Sequence, residues 1–234
     1  MKKKLSFIFL FVMGVSMAQD AQKIVKQYID AVGGKKNIEA VKSVLQKGEV
    51  EQMGQVMEFE IYQNTNGDGY MKMNMAGMSL VLYAVKDGKG FRINEMMGYD
   101  EMPEEEVKES QKKNKKIFGD VIYALDDKDK MKYLGKEEME GKKYDVVELS
   151  SEEGEKVKVY FDPDTHLIKY TVVETENGPV VNEIASYKEV NGIKFPEKML
   201  TKVGGQTVTT MTFTDIIVNP TPDQIDQEAF IMPE

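Results

Sequence analysis

Four methionines lie close together in the segment GYMKMNMAGMSLVLY, residues 69–83, where their thioethers could bind a soft metal ion or an apolar ligand. Met71, Met73 and Met75 alternate with polar residues, and Met78 follows three residues later. Residues two apart share one face of a β-strand, so a strand here would bring the first three thioethers together. Thioether sulfur binds Cu(I), and methionine also fills cores and lines adaptable apolar surfaces. The spacing leaves three interpretations open: a copper site, ordinary core and the wall of an apolar binding site.

The flanking segments continue this alternation. Residues 55–63 place an apolar residue at every second position, and residues 78–86 do the same through Leu80, Leu82 and Ala84. If the three segments are neighbouring strands, they present one continuous apolar surface, which we call the methionine face. Its members are Met57, Phe59, Ile61, Met71, Met73, Met75, Leu80 and Leu82.

A copper site is the least favoured of the three interpretations. Methionine-based copper sites usually include histidine or cysteine, and this chain has one histidine, His166, and no cysteine. The absence of cysteine also excludes disulfides, thiol nucleophiles and thiolate zinc sites. We therefore expect no metal site and no cofactor.

Two further segments resemble metal sites only in part. NTNGDG, residues 64–69, has the first positions of a calcium loop, but Met75 stands at the twelfth position, where a glutamate is needed. A β-hairpin turn explains this segment better. LDDKDK, residues 125–130, alternates acids with lysines, which is typical of a solvated loop.

No motif in the chain indicates catalysis. His166 follows FDPDT in a turn, where a single histidine in the left-handed region is a common backbone feature. The sequence contains neither a G-x-S-x-G elbow nor an H-E-x-x-H helix. We predict that the protein is not an enzyme.

The first residues predict export. Three lysines precede an apolar run from Leu5 to Val15, and Ser16 and Ala18 are the small residues of a cleavage site before Gln19. The run is shorter than the roughly 20 residues of a membrane-spanning helix. Without a cysteine the chain cannot be acylated as a lipoprotein, so we expect a soluble periplasmic protein of residues 19–234. The formal charge of −9 becomes more negative once the lysines are removed, and it disfavours nucleic acid as a partner.

The elements that carry the methionine face follow from periodicity. Apolar residues at helical spacing predict an amphipathic helix over 21–32, ended by Gly33 and Gly34, and a shorter helix over 36–43. A third helix is predicted over 103–118, with acidic residues first and lysines last and with almost no apolar face, so that it lies largely in water. Twelve segments alternate with period two, over 44–52, 55–63, 69–76, 78–86, 89–97, 131–138, 143–150, 155–161, 166–175, 179–187, 194–203 and 206–217. Short turns between them predict an antiparallel meander.

Three segments together resemble the exported bacterial proteins of the outer-membrane lipoprotein sorting and carrier (LolA-like) superfamily. They are YIDAVGGKKNIEAVKSV at 28–44, YFDPDTHLIKY at 160–170 and YKEVNGIKFPEKM at 187–199. The resemblance implies an α+β fold: an incomplete, half-open antiparallel β-barrel wrapped over the N-terminal and the inserted helix. It also implies binding of an acyl chain or another apolar ligand without catalysis. In the carrier an arginine helps to close the cavity against a helical lid, and Arg92 is the single arginine here, with no motif that assigns it that role.

We therefore expect one LolA-like domain over residues 19–234, monomeric, whose methionine face holds a lipid, an acyl chain or another apolar small molecule. An envelope lipoprotein or a membrane protein is a further expected partner. The alternative is an interaction or sensor module whose cavity is filled by its own helices and which binds a protein partner.

Overall fold

The structure, a computed structural model, describes residues 20–75, 77–126, 130–150 and 155–233. The expected signal peptide lies outside these residues, and so do residues 127–129 of the LDDKDK loop. Four α-helices are present in the described part of the chain: α1 over residues 20–32, α2 (Lys35–Ala40), α3 (Glu104–Asn114) and α4 (Asp120–Tyr123). None of the helices in these residues is long and apolar enough to span a membrane.

Thirteen strands form one antiparallel sheet in the order β6-β5-β4-β3-β2-β1-β13-β12-β11-β10-β9-β8-β7. Within the described residues, β6 and β7 are its two edges, and the sheet is not closed. The strands are β1 (Ser43–Gln52), β2 (Gln55–Asn64), β3 (Gly69–Met75), β4 (Met78–Lys86), β5 (Lys89–Ile93), β6 (Tyr99–Glu101), β7 (Met131–Met139), β8 (Lys142–Ser150), β9 (Lys156–Phe161), β10 (Ile168–Thr175), β11 (Gly178–Val190), β12 (Ile193–Val203) and β13 (Gln206–Val218). The predicted antiparallel meander is confirmed.

The main corrections to the predicted elements concern the middle of the chain. The predicted strand 89–97 ends at Ile93, and a turn at residues 94–98 leads into the separate strand β6. The helix predicted over 103–118 ends at Asn114. Helix α4 was not predicted, because its four residues are too few to show a period.

Four hairpins turn on a non-glycine residue followed by glycine, both with positive φ. The pairs are Met53-Gly54, Asp87-Gly88, Glu140-Gly141 and Asn191-Gly192, with φ near 50° at the first residue and between 76° and 80° at the second. These angles fit the type I′ turn, which matches the twist of the flanking strands. They explain why successive strands pair with their sequence neighbours.

The residues divide into two compact units. The first comprises residues up to Lys35, Gly119–Ala185 and Leu200–Thr207. Helix α1 buries the face that its periodicity predicts, including Val25 and Tyr28, and the Tyr28 ring packs edge-on against Phe161 at 5.8 Å. A second cluster of this unit joins the rings of Tyr144, Tyr160 and Tyr170, with centroids 5.4 to 6.4 Å apart.

The second unit comprises Lys36–Phe118, Ser186–Met199 and the chain from Val208. Its strands bury a different cluster on each face, because adjacent residues of a strand point to opposite sides. One face carries the phenylalanine cluster, which consists of Val41, Val44, Val50, Phe59, Ile193, Phe195, Phe213 and Ile216. The other face carries the tyrosine cluster, which consists of Leu45, Tyr62, Tyr70, Ala84, Phe91 and Ala229. The methionine face belongs to this second unit.

Candidate apolar ligand site

The methionine face lies on β2, β3 and β4, three neighbouring strands of the second unit. Phe59 pairs with Met73, and Met73 pairs in turn with Leu80. Ile61 pairs with Met71 in the same ladder. The strands thus bring residues from all three sequence segments together on one side of the sheet.

A β-bulge interrupts the alternation on β4. The β3–β4 register shifts between Met71 and Lys72, so that Tyr83 lies opposite Met71 and Leu82 has no partner in the ladder. Beyond the bulge the faces are exchanged, and Ala84 packs in the tyrosine cluster on the other side of the sheet. Simple alternation through Ala84 was therefore wrong, because a bulge inserts one residue without a sequence signal of its own.

The methionine face is partly core and partly accessible. Phe59 is only 3% exposed, and its ring packs edge-on against Phe213 at 5.3 Å. Met57, Ile61 and Met73 pack against the phenylalanine cluster but stay half-buried. The half-buried class also includes Met71, Leu80 and Leu82. Met75 pairs with Met78 at the end of β3, and its side chain lies outside the described part of the structure.

Two residues that follow α3 cover part of this surface. Ile117 and Phe118 pack against the phenylalanine cluster, and the Phe118 ring stacks on Phe195 at 5.5 Å. The side-chain amide of Gln63 donates a hydrogen bond to the Ile117 carbonyl at 3.5 Å. The sequence signal for this contact was an apolar pair directly after the lysine-rich run that ends at Lys116, and the prediction of a helix lying largely in water did not account for it.

Asn114 anchors the end of α3 to the hairpin between β2 and β3. Its side chain is 3% exposed, its amide donates to the Gly67 carbonyl at 3.0 Å, and its carbonyl accepts from the Tyr83 hydroxyl at 3.2 Å. The backbone approaches so closely that a Cβ on Gly69 would lie 2.7 Å from the Asn114 amide nitrogen. Val107 is also buried, so α3 packs on the unit more than its composition predicts.

Arg92 contacts the same helix. Its Nε lies 3.1 Å from a Glu106 carboxylate oxygen, and both side chains are about half exposed. The pair joins β5 to the first turn of α3.

The opposite side of β2 and β3 carries a linked set of charged groups. Lys72 Nζ lies 2.5 Å from Asp226 and 3.6 Å from Glu60, and the Tyr70 hydroxyl donates to Glu60 at 2.6 Å. Burial acts to raise the pKa of Glu60, but hydrogen bonds from Tyr70 and Lys47 and the charge of Lys72 outweigh it, and the pKa is lowered. The hydrogen bond from Lys72 lowers the pKa of Asp226. Both carboxylates are therefore ionised partners in a structural network that fixes the C-terminal segment.

Two cavities of the second unit lie away from the methionine face. One, of about 550 Å³, is lined by Val56 and by polar residues including Glu49, Glu58 and Asn74. The other, of about 410 Å³, lies between β4, β5 and the C-terminal Phe230 and Met232. Neither is lined by a member of the methionine face.

The NTNGDG segment and the turn at His166 have structural roles. The Asn64 side-chain carbonyl accepts from the amides of residues 66, 67 and 68 at 2.9 to 3.0 Å, which confirms the hairpin turn. His166 has φ of 59° in its turn, as expected. Across the described residues, no group of three or more His, Cys, Asp or Glu side chains is placed to hold a metal ion together.

No family model and no curated protein sequence matches this chain. Solved structures do match its fold. A DUF1329 family protein from Desulfovibrio piger aligns with a TM-score of 0.56 at 12% identity, over 92% of this chain and 99% of that one. A LolA superfamily protein from Nitrosomonas europaea aligns with a TM-score of 0.54 at 11% identity, over 87% and 96%.

A third match is a putative outer membrane lipoprotein-sorting protein domain from Vibrio parahaemolyticus. It has a TM-score of 0.53 at 10% identity and covers 92% of this chain and 97% of that one. At such low identity the similarity concerns the fold alone. It agrees with the resemblance of the three sequence segments, and the fold of this chain is LolA-like.

Proposed function

We propose that this protein is a non-catalytic periplasmic binding protein or carrier for an apolar ligand, such as a lipid or a lipoprotein acyl chain. The observation that carries the proposal is the half-buried state of the methionine face. Met57, Met71 and Met73 lie beside the packed Phe59, yet each keeps part of its side chain accessible. Flexible thioethers on a half-buried surface adapt to ligands of different shape.

The LolA-like fold supports the same proposal. On the basis of this fold, we propose that the sheet is an incomplete barrel wrapped over the helices. The methionine face would then lie on the concave side of the sheet. A lipoprotein-sorting domain is among the proteins that share the fold. An envelope lipoprotein or membrane protein would then supply or accept the acyl chain.

A second candidate function rests on the contacts of Ile117 and Phe118. Because these residues already pack against the phenylalanine cluster, part of the surface is filled by the chain itself. In this alternative the protein is an interaction or sensor module that binds a protein partner and no lipid.

Native mass spectrometry of protein purified without detergent separates the two candidates. A co-purifying lipid mass supports the carrier, and a ligand-free mass with no uptake of added fatty acid supports the interaction module.

A matched pair of variants then locates the ligand. Met73→Gln keeps nearly the same length but places an amide on the methionine face, where it penalises a bound acyl chain. Met139→Gln makes the same change at a half-buried methionine of the first unit. We expect Met73→Gln alone to weaken binding of a fluorescent fatty acid, by about tenfold. Equal binding by both variants would remove the methionine face from the proposal.

A further inference from the structure

Four of the five exposed methionines described in the second unit gather at one end of its sheet, and the fifth, Met232, lies in the C-terminal segment beside Lys86 and Lys89. Met53 lies in the β1–β2 turn and is 94% exposed, and Met78 opens β4 and is 55% exposed. Met96 and Met97, in the β5–β6 turn, are 89% and 53% exposed. Single exposed apolar residues are common on protein surfaces, but four methionines on neighbouring turns form a pattern that needs an explanation.

Topology places these turns side by side. In an antiparallel meander, alternate connections lie at the same end of the sheet, so the β1–β2, β3–β4 and β5–β6 turns share one end. Strand β13 brings a further residue there, because Thr209 pairs with Gln52 beside the β1–β2 turn and Val208 precedes it. The exposed apolar residues on and beside these turns form one group, which we name the methionine rim. It consists of Met53, Val56, Met78, Met96, Met97 and Val208.

The backbone shows that folding does not require methionine at Met53. The equivalent first position of the other three type I′ turns holds Asp87, Glu140 or Asn191. Asn and Asp are favoured there because they tolerate positive φ. Met53 has φ of 52° and its side chain contributes nothing to the core. Of the seven non-glycine residues with positive φ in the described chain, the two methionines, Met53 and Met97, both lie on the rim, and the other five are polar.

The turns at the two ends of this unit differ in charge. Residues 52–57 and 73–85 contain no charged residue, in a chain of which 30% is charged, and Glu95 is the one charge in the β5–β6 turn. The strands beside these turns carry the acidic residues Glu51, Glu58 and Asp100. The β2–β3 and β4–β5 turns, at the other end, carry Asp68, Asp87 and the flanking Lys86 and Lys89. Apolar, uncharged turns in a protein of formal charge −9 fit a surface that offers apolar contact without charge.

We propose that the methionine rim docks on the surface of a lipid bilayer made of uncharged or zwitterionic lipids. The rim is a row of separate convex turns, and flexible thioethers can enter the boundary between headgroups and acyl chains. Because no basic residue of these turns takes part, binding is insensitive to salt and weaker on anionic lipid, which the acidic chain repels. This contact does not depend on whether the methionine face holds a ligand.

The chain contains no tryptophan, so one introduced tryptophan reports its own surroundings. Met53→Trp places the probe on the rim, and Asp87→Trp places it at the equivalent turn position of the opposite end. With vesicles of phosphatidylcholine at millimolar lipid, we expect the emission of Met53→Trp to shift to shorter wavelength. The emission of Asp87→Trp stays unchanged.

The tryptophan itself favours membrane interfaces, so a second measurement uses the native rim. In flotation with the same vesicles, the double variant Met53→Asn, Met78→Ser should lose at least about tenfold in partitioning, as expected from removing two apolar contacts. Its thermal midpoint should stay equal or rise, because Asn suits the turn. Adding phosphatidylglycerol should weaken the binding of the parent.

Three outcomes would overturn the proposal. They are no flotation of the parent protein, equal flotation of the double variant, or binding that requires anionic lipid and falls with salt. Sedimentation of the parent without lipid tests the other occupant. A concentration-dependent dimer that the double variant abolishes would assign the rim to a second copy of the chain instead.

Discussion

At the scale of single residues, the structure separates buried core residues from accessible residues within the methionine face. Phe59 and Met73 are direct partners in the β2–β3 ladder, yet Phe59 is buried and Met73 is half-buried. Two residues that pair across a ladder need not be equally buried, because burial depends on the side chains that pack onto that face of the sheet. Above Phe59 stands the ring of Phe213.

Truncation of these two partners should therefore have different costs. We expect Phe59→Ala to lower the free energy of unfolding by about 3 to 5 kcal/mol, since it leaves a cavity in the phenylalanine cluster. Met73→Ala should cost less than about 2 kcal/mol, because a half-buried side chain has fewer packing partners. Urea unfolding of both variants measures the difference. Similar losses would show that Met73 is ordinary core.

The charged network on the opposite side of β2 and β3 predicts that stability depends on pH. The pKa values of Glu60 and Asp226 are lowered in the folded protein, from ordinary values of 4.5 and 3.8. A carboxyl with a lowered folded pKa stabilises the protein above its unfolded pKa, and this contribution is lost as the pH falls through the folded value. We expect Lys72→Met to be less stable than the parent at about pH 6 and the gap to shrink towards about pH 3.

Lys156→Met is the control for this prediction, because Lys156 makes an ion pair with Glu148 at 3.2 Å but is mostly exposed. Chemical denaturation across the pH series measures both variants. A gap for Lys72→Met that stays constant with pH would contradict the assignment of its stabilising role to the two carboxylates.

At the scale of elements, α3 is held by its final residue. Asn114 satisfies the Gly67 carbonyl and the Tyr83 hydroxyl from a buried position. Removing it leaves both groups without that partner, which costs about 1 to 3 kcal/mol. We expect Asn114→Ala to be destabilised by that amount and to lose hydrogen-exchange protection over residues 104–118.

Asn74→Ala is a suitable comparison, because Asn74 is exposed and, among the described residues, its side chain donates to Glu58 alone, at 3.2 Å. It should change neither stability nor exchange in α3. Unchanged exchange in Asn114→Ala would mean that other contacts, such as those of Val107, hold the helix.

The sequence predicted the elements well where a local signal exists. Period-two segments and X-Gly turns such as Asp87-Gly88 gave most of the strands and their antiparallel pairing. Period-two alternation also picked out the residues of the methionine face, and the β2–β3 register pairs Phe59 with Met73 and Ile61 with Met71. The bulge at Leu82, the contact of Phe118 with Phe195 and the burial of Asn114 were not predicted. Each depends on residues distant in sequence, which periodicity does not report.

At the scale of the whole molecule, three strands are shared by both units. Residues of β11, β12 and β13 fall partly in the first unit and partly in the second. A single domain over residues 19–234 stays a prediction.

Two tryptophan probes test this prediction. Glu140→Trp reports on the first unit and Met53→Trp on the second, both at equivalent turn positions. Glu140→Trp also removes the ion pair with Lys202, so each variant is compared with itself. Within each variant, we expect fluorescence and circular dichroism to give the same urea midpoint, as one cooperative transition requires. A fluorescence midpoint that differs from the circular-dichroism midpoint of the same variant would divide the protein into two domains.

Export makes a further prediction for the whole chain. We expect the periplasmic protein to begin at Gln19, because Ser16 and Ala18 are the small residues of the cleavage site. Intact mass of periplasmic material measures the start of the chain. Retention of residues 1–18 in a membrane fraction would contradict this.

The pairing of β1 with β13 determines when the sheet can form during synthesis. Val44 pairs with Val218, so β1 cannot pair with β13 until the ribosome has made nearly the whole chain. Until then one edge of β1 carries free amide and carbonyl groups, which can pair with another nascent chain. Long sequence separation also slows folding. A chain that stops before Gln206 lacks β13 altogether, and we expect it to aggregate even though all of β1 to β6 is present.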